Sequence, residues 1–192
     1  MIALDAGLLL GISPRHKGPK AIAQKRIVAA LAKTAAPTLK RYRIDNPLRI
    51  AHFLAQACHE TDGFCTTNEY WGPTLAQSRY EGRRDLGNSR SGDGYRYRGR
   101  GIFQLTGRAN YQKMSARLGL DLVGTPALAA DPAVSLAIAC EYWVLRKINA
   151  LADLDDLPAV TRKINGGTNG LADRRACLAK ARAALDAMDL KW

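Results

Sequence analysis

The chain has 192 residues, with 29 Lys and Arg against 17 Asp and Glu, for a net charge of +12. That length fits one domain with a small lobe, and an apolar share of 47% is that of an ordinary globular protein with a core. The apolar run from Met1 to Ile12 contains Asp5 and lacks a basic start, which argues against a secretory signal, and it is too short to span a bilayer.

That first run is read as a short packed helix, so the protein is expected to be made in the cytoplasm without an export signal. Pro14 to Pro19 is a basic loop. Ala21 to Arg43 reads as one or two helices with Ile22, Ile27, Val28, Leu31, Leu39 and Tyr42 as the apolar stripe. Pro37 is expected to break or kink this stretch, or to start a new helix after Thr34. Asp45-Asn46-Pro47 then signals a helix start, with a capping side chain followed by proline in the first turn. Leu48, Ala51, Phe53, Leu54, Ala57 and Cys58 give that helix an apolar face, and Asp62-Gly63 stops it just after Glu60. A carboxylate at a helix C-terminus meets partial negative charge, and apolar neighbours such as Phe64 and Trp71 would add a burial cost. Both effects favour the protonated form, which suits a general acid.

Only four glutamates occur, and Glu60, Glu69 and Glu81 fall within twenty-two residues of each other. Any one of them is by default a solvated surface residue, but their clustering outside regular helix points to a site. Thr66-Thr67-Asn68 suits a turn or short strand that would bring Glu69 back across a groove from Glu60. Seven arginines crowd residues 79–100, so an ion pair is the expected role for Glu81. His59-Glu60 is not a zinc motif, because Gly63 stands where H-E-x-x-H needs its second histidine, and no metal or other cofactor is expected. His59 is read as a hydrogen-bonded structural neighbour of the acid.

The four cysteines contain no C-x-x-C pair. Cys58 and Cys65 are close enough in sequence to bridge, Cys140 and Cys177 read as buried apolar positions, and free thiols are favoured throughout. Gly92 to Gly101 is expected to be a tight loop where backbone approaches something closely. Thr106 is a candidate cap for a helix from Arg108 to Leu118 that ends at Gly119. Tyr97 and Tyr111 are suited either to stacking on sugars or to packing. Asp131-Pro132 starts another helix, with Val134, Leu136, Ile138, Ala139, Trp143 and Val144 as core candidates. Asn165-Gly166-Gly167 ends a helix from Pro158 to Ile164. A last helix runs from about Leu171 to Met188 with Arg174 and Arg175 near its start, and one or other of these is expected to have a carboxylate partner, Glu60 or Glu69.

Phe53-Leu54-Ala55-Gln56-Ala57-Cys58-His59-Glu60-Thr61-Asp62-Gly63-Phe64 resembles a signature of family 19 glycoside hydrolases, which include chitinases and many phage lysozymes. The resemblance continues through Tyr80-Glu81-Gly82-Arg83, Leu86-Gly87-Asn88 and Gly92 to Gly101. It runs on through Ile102-Phe103-Gln104-Leu105-Thr106-Gly107, Asn110-Tyr111, Ile164-Asn165-Gly166-Gly167 and Arg174-Arg175. One departure is Asp62, where the family has glycine. The resemblance implies a mostly helical, lysozyme-like α+β fold, two lobes around a substrate groove with a small β element near Glu69. It implies one catalytic domain over residues 1–192, with a helical segment at 1–46 and the family core at 47–180.

By the same resemblance Glu60 is the general acid and Glu69 the general base of an inverting hydrolase, whose carboxyls stand about 6.5–9.5 Å apart to admit water. Thr106 would hold that water, Gln104, Asn110 and Asn165 would line the glycan groove, and His59, Tyr97, Tyr111 and Arg174 complete the candidate set. The expected activity is hydrolysis of β-1,4 bonds in bacterial peptidoglycan by a monomeric endolysin released with the help of a holin. Charge supports wall over neutral chitin, with a solvated basic face of no functional role as the other reading: residues 1–57 hold ten basic and two acidic side chains, a net +8, and residues 79–100 a net +4. A chitinase is the alternative enzyme, and a non-catalytic binder of wall glycan or nucleic acid the alternative of another class. No nucleic-acid signature is present, so a nucleic-acid partner is not expected.

Overall fold

In a computed structural model that describes residues 4–188, the chain forms α1 (Ala6–Ile12), α2 (Gly18–Arg41), α3 (Pro47–Glu60), α4 (Leu75–Ser78) and α5 (Asp93–Arg96). These are followed by α6 (Arg108–Leu118), α7 (Pro132–Leu145), α8 (Ile148–Asp153), α9 (Leu157–Asn165) and α10 (Leu171–Asp186). The fold is thus mostly helical, and none of the described helices is long and apolar enough to cross a membrane. Two compact units arise: one takes the chain up to Thr66 and again from Cys140, the other is Thr67–Ala139.

The first unit is built on α3, which packs chiefly against α10 and also against α1, α8 and α9. Asn46 caps α3 by accepting from the Arg49 N–H at 2.8 Å, and Pro47 occupies its first turn. A one-sided apolar stripe does not describe this helix, because every residue from Ile50 to Cys58 is buried. Helices wrap it all round, and its polar residues survive burial by pairing: Gln56 donates to the Thr161 hydroxyl at 3.2 Å and His52 Nε2 meets Asp155 at 2.8 Å. Phe53 and Trp143 pack edge to face, with ring centroids 5.3 Å apart.

Helix α2 passes through Pro37 as one element, so no new helix starts after Thr34. Proline forfeits one backbone hydrogen bond, and the burial of Ile27, Val28, Leu31 and Leu39 on one face offsets that loss. Ile22, expected in the stripe, is instead 72% exposed. Val144 on α7 is likewise 40% exposed, whereas Leu136, Ile138, Ala139 and Trp143 are buried as expected.

The second unit carries little regular structure. Asn68 bridges Arg100, and Arg100 bridges Leu105, both antiparallel, which is the full extent of its β pairing among the described residues. The stretch from Gly92 to Gly101 is not all loop, since α5 forms within it. Helix α6 ends at Gly119 in a left-handed conformation, as its sequence predicts. Its start differs: Gly107 is the cap residue, while the Asn88 side chain accepts from the Arg108 N–H at 2.9 Å. A buried ion pair, Asp93 with Arg108 at 2.5 Å, ties α5 to α6.

Candidate functional site

Glu60 is the last residue of α3, where the sequence places it. Its carboxylate is not in apolar surroundings: Arg174 donates to it through Nη2 at 2.6 Å, and the same guanidinium donates through Nη1 to Gln56 at 2.5 Å. Arg174 is fully buried on the first turn of α10, a position that the helix dipole disfavours for a cation. The Glu60 charge and the Gln56 carbonyl compensate, which meets the expectation of a carboxylate partner. The next contact of the same turn is between Asp173 and His59 Nδ1, at 2.6 Å. Gly170, just before α10, lies so close to the His59 ring that a Cβ there would fall 2.3 Å from Cε1. Two consecutive residues of α10 therefore clamp two consecutive residues of α3, and His59 is the hydrogen-bonded neighbour of Glu60. Tyr142 lies near this carboxylate, and its phenol is pushed up by burial, lowered in part by Arg146 and raised further by Glu60.

Glu69 stands in loop rather than helix and is held by neutral donors. Gln77 donates through Nε2 at 2.9 Å and Tyr80 through its hydroxyl at 3.2 Å, both to Oε1, while the Gly99 N–H donates to Oε2 at 2.9 Å. The Glu69 N–H in turn donates to the Gly99 carbonyl at 2.9 Å. Burial pushes the Tyr80 phenol up, and the Glu69 charge and hydrogen bond act in the same direction, so the tyrosine remains a donor. Gly99 cannot be larger without cost: a Cβ would lie 2.7 Å from Gln104 Oε1 and 3.0 Å from Glu69 Oε2. Gln104 is therefore a neighbour of Glu69, with its backbone left-handed at φ 49° and its amide donating to the Gly101 carbonyl at 2.8 Å.

Other candidates divide into two groups. Thr106 is half-buried and donates to the Gln104 carbonyl at 2.9 Å, and Asn110, exposed on α6, donates to the Thr106 carbonyl at 2.7 Å. Hydrogen bonds string these two to the backbone of Gln104, whose side chain lies beside Glu69. Asn165 is the exposed last residue of α9 in the first unit, followed by Gly166 as a left-handed cap. Tyr97 and Tyr111, in contrast, are packing residues. They are 1% and 0% exposed, with ring centroids 5.2 Å apart and hydroxyls donating to the Val123 and Arg98 carbonyls. Neither presents a face to a sugar. Glu81 corrects another expectation: it accepts from the Gly92 and Gly94 N–H groups at 2.7 and 2.8 Å instead of pairing with arginine. Backbone donors at the start of α5 reach it with no side-chain entropy to lose.

Sequence reading missed Gln77, Tyr80 and Asp173. Thr74-Leu75-Ala76-Gln77 is a capping box, visible as a Thr followed three residues later by Gln, and this box orients the Gln77 amide. Cys58 and Cys65 do not face each other as a pair; the Cys58 and Cys177 sulfurs are 3.4 Å apart, and all four cysteines are free and buried.

In the first unit a buried guanidinium fixes the carboxylate at the end of α3, and in the second unit neutral donors hold the carboxylate of Glu69. Comparison with known proteins makes the class specific. The glycoside hydrolase family 19 profile, described as "Chitinase class I", matches residues 21–155. A "Glycosyl hydrolase family 19 domain-containing protein" of Haemophilus influenzae is 34% identical over 156 residues, which cover 67% of this chain and 76% of that protein. Chitinase 8 of Oryza sativa is 36% identical over 104 residues, but these are 52% of this chain and only 36% of the rice protein. Chitinase C of Streptomyces griseus superposes with a TM-score of 0.65 at 22% identity, covering 96% of this chain and 93% of that one. A class IV chitinase from Zea mays gives a TM-score of 0.62 at 20% identity, over 97% and 92% of the two chains; both likenesses speak for the fold. The chain belongs to glycoside hydrolase family 19, and it is a glycoside hydrolase.

Proposed function

We propose that the chain is an endolysin that cleaves β-1,4 bonds in peptidoglycan, with Glu60 as general acid and Glu69 as general base. The reaction begins when Glu69 takes a proton from water and the water oxygen attacks the anomeric carbon. The bond to the leaving oxygen breaks, and that oxygen takes the proton of Glu60. Arg174 then stabilises the carboxylate that Glu60 becomes, while Gln77, Tyr80 and the Gly99 N–H hold Glu69 in one orientation. Thr106, beside Gln104, is the proposed second anchor of the water, and Gln104, Asn110 and Asn165 are the proposed sugar contacts.

The observation that carries this reading is the set of three neutral donors on Glu69, which fixes a carboxylate without neutralising it. For the substrate, the support is the net charge of +12, which favours an anionic wall over a neutral polymer. Chitin is the second reading, favoured by relatives such as Chitinase 8. Clearing of purified peptidoglycan against clearing of colloidal chitin separates the two. Wall clearing is expected, with the new reducing end first formed as the α-anomer, and Glu60→Gln and Glu69→Gln should each lose about 100-fold or more in rate. Wall clearing that survives both substitutions would remove these residues from the mechanism.

A further inference from the structure

The first unit holds a pair of nucleophiles that this mechanism does not use. Cys58 lies in the last turn of α3 and Cys177 in the second turn of α10, and their sulfurs are 3.4 Å apart. Helix α10 is the chief packing partner of α3, and the two thiols are 1% and 4% exposed. Each lies within one helical turn of a member of the Glu60–Arg174 ion pair. The other two cysteines are placed differently: the Cys65 sulfur reaches the Gly63 carbonyl at 3.9 Å, and Cys140 is 0% exposed on α7.

Two facing thiols are not equivalent. When Cys177 ionises, the Cys58 thiol donates to it, and this hydrogen bond holds the Cys177 thiol below its ordinary value, against the cost of burial and the nearby Asp173. Lys180 and Arg174 favour the same thiolate. Ionisation of Cys58 is opposed by that hydrogen bond and by burial, so its thiol is pushed up. An attacking thiolate beside a neutral thiol that can resolve it is the arrangement of a reversible oxidation site. The sulfurs, already in contact, have about 1.4 Å to close before they bond.

We propose that Cys58 and Cys177 are a site of reversible oxidation, where a small hydroperoxide forms an internal disulfide that staples α3 to α10 beside Glu60. The Cys177 sulfur attacks one peroxide oxygen with its electron pair, the O–O bond breaks, and the leaving oxygen takes the thiol's proton to depart as water. The Cys58 sulfur then attacks the sulfur of the sulfenic acid. The S–S bond forms, the S–O bond breaks, and a second water leaves with the Cys58 proton. Two thiols lose two electrons and two protons, and one hydrogen peroxide becomes two waters. Peroxide is little larger than water, which admits it to a thiol that bulkier oxidants do not reach. The bridge spans 119 positions of the chain, and constraining the unfolded state over so long a loop stabilises the folded one. It is expected in oxidising surroundings and not in a reducing cytosol.

The full chain, treated with a slight excess of hydrogen peroxide, alkylated in denaturant and digested, tests this by mass spectrometry. Two peptides joined through Cys58 and Cys177 are expected, about 2 Da lighter than their separate reduced forms, with Cys65 and Cys140 alkylated. The melting temperature should rise by about 5 °C and fall back on adding a thiol reductant. Cys58→Ser should arrest the reaction at the sulfenic acid of Cys177, captured by a 1,3-diketone, whereas Cys177→Ser should leave Cys58 unoxidised. Should either variant fail to fold, the linkage and the melting temperature of the unsubstituted chain decide alone. Four alkylated cysteines after peroxide, a bridge between any other pair, or a linked chain that melts no higher would overturn the proposal. Wall and chitin clearing play no part in these readouts, so the bridge stands or falls apart from the choice of substrate.

Discussion

Glu60 and Glu69 are the same side chain in opposite kinds of setting. Glu60 ends a helix buried all round, and its partner Arg174 is a fully buried cation that also holds Gln56. Glu69 sits in loop, and everything that holds it is neutral. The difference is between a charge that is part of the core and a charge that is only aimed. Removing a partner of the first should cost stability as well as activity. Removing a partner of the second should cost activity more than it costs stability.

Arg174→Met is the harshest way to test that contrast. It strands the Glu60 carboxylate and the Gln56 carbonyl beside a cavity shaped for a guanidinium. Breaking a buried pair from one side costs about 3–5 kcal/mol, with the lower end expected because Glu60 keeps 18% side-chain exposure. Chemical denaturation measures this loss, and a midpoint unchanged from the native chain would show that the pair is not part of the core.

Gln77→Leu probes the other side. The Gln77 amide uses its whole capacity, donating to Glu69 and to the Tyr70 carbonyl and accepting from the Gly72 and Thr74 N–H groups. Without it Glu69 keeps Tyr80 and the Gly99 N–H but loses one restraint, and misplacement by about 1 Å costs on the order of 100-fold in rate. The expected result is a fall in kcat greater than any fall in stability, read from wall clearing alongside thermal unfolding. Equal losses in both would make Gln77 a structural residue.

How far the sequence carries these arguments depends on the range of the contacts. The Asn46-Pro47 start of α3, its end at Glu60, the stop of α6 at Gly119 and that of α9 at Gly166 all rest on neighbours along the chain, and each was readable. The ion pair of Arg174 with Glu60 was half readable: a cation in a first helical turn announces a missing partner, but Arg174 and Arg175, and Glu60 and Glu69, were equal candidates. Tyr97 and Tyr111 were not readable, since an amphipathic ring gives no sign of whether it stacks on ligand or fills a core. Glu81 misled because a crowd of arginines nearby in sequence says nothing of two backbone donors at the mouth of α5. Gln77 was half readable: its capping box is local, but its reach to Glu69 depends on the fold.

Acid should separate the two units more gently. Burial holds His52 below its ordinary value, with the Asp155 hydrogen bond opposing, and its Nδ1 is buried without a partner. The unfolded chain therefore binds this proton more readily than the folded one. The stabilisation is complete above about pH 6.5 and is lost as pH falls through that value toward the folded one. In the second unit the hydrogen bond from Arg108 holds Asp93 below its usual range, against the cost of burial. Its contribution persists above about pH 3.9 and is lost only as pH falls below that. Hydrogen exchange at about pH 5 should then show the α3 amides losing protection while those of α6 keep theirs. Parallel loss in both helices would contradict the assignment of His52.

The smallest effect comes from one substitution made at two glycines. At Gly99 an added methyl meets the Gln104 amide oxygen and a Glu69 carboxylate oxygen at 2.7 and 3.0 Å and the Glu69 Cβ at 3.2 Å, so Gly99→Ala should displace the Glu69 side chain and cost stability as well as rate. At Gly11, on α1, the methyl meets nothing within 4 Å and the backbone is not left-handed. There the change acts on the unfolded chain, which loses conformational freedom, and alanine also favours the helix. Gly11→Ala should therefore stabilise by about 0.4–1 kcal/mol with activity unchanged. A loss of rate at Gly99 beside an unchanged rate at Gly11 would confirm that the Glu69 carboxylate is held by fit. A loss of stability at Gly11 would mean that α1 packs more tightly than its exposed glycine indicates.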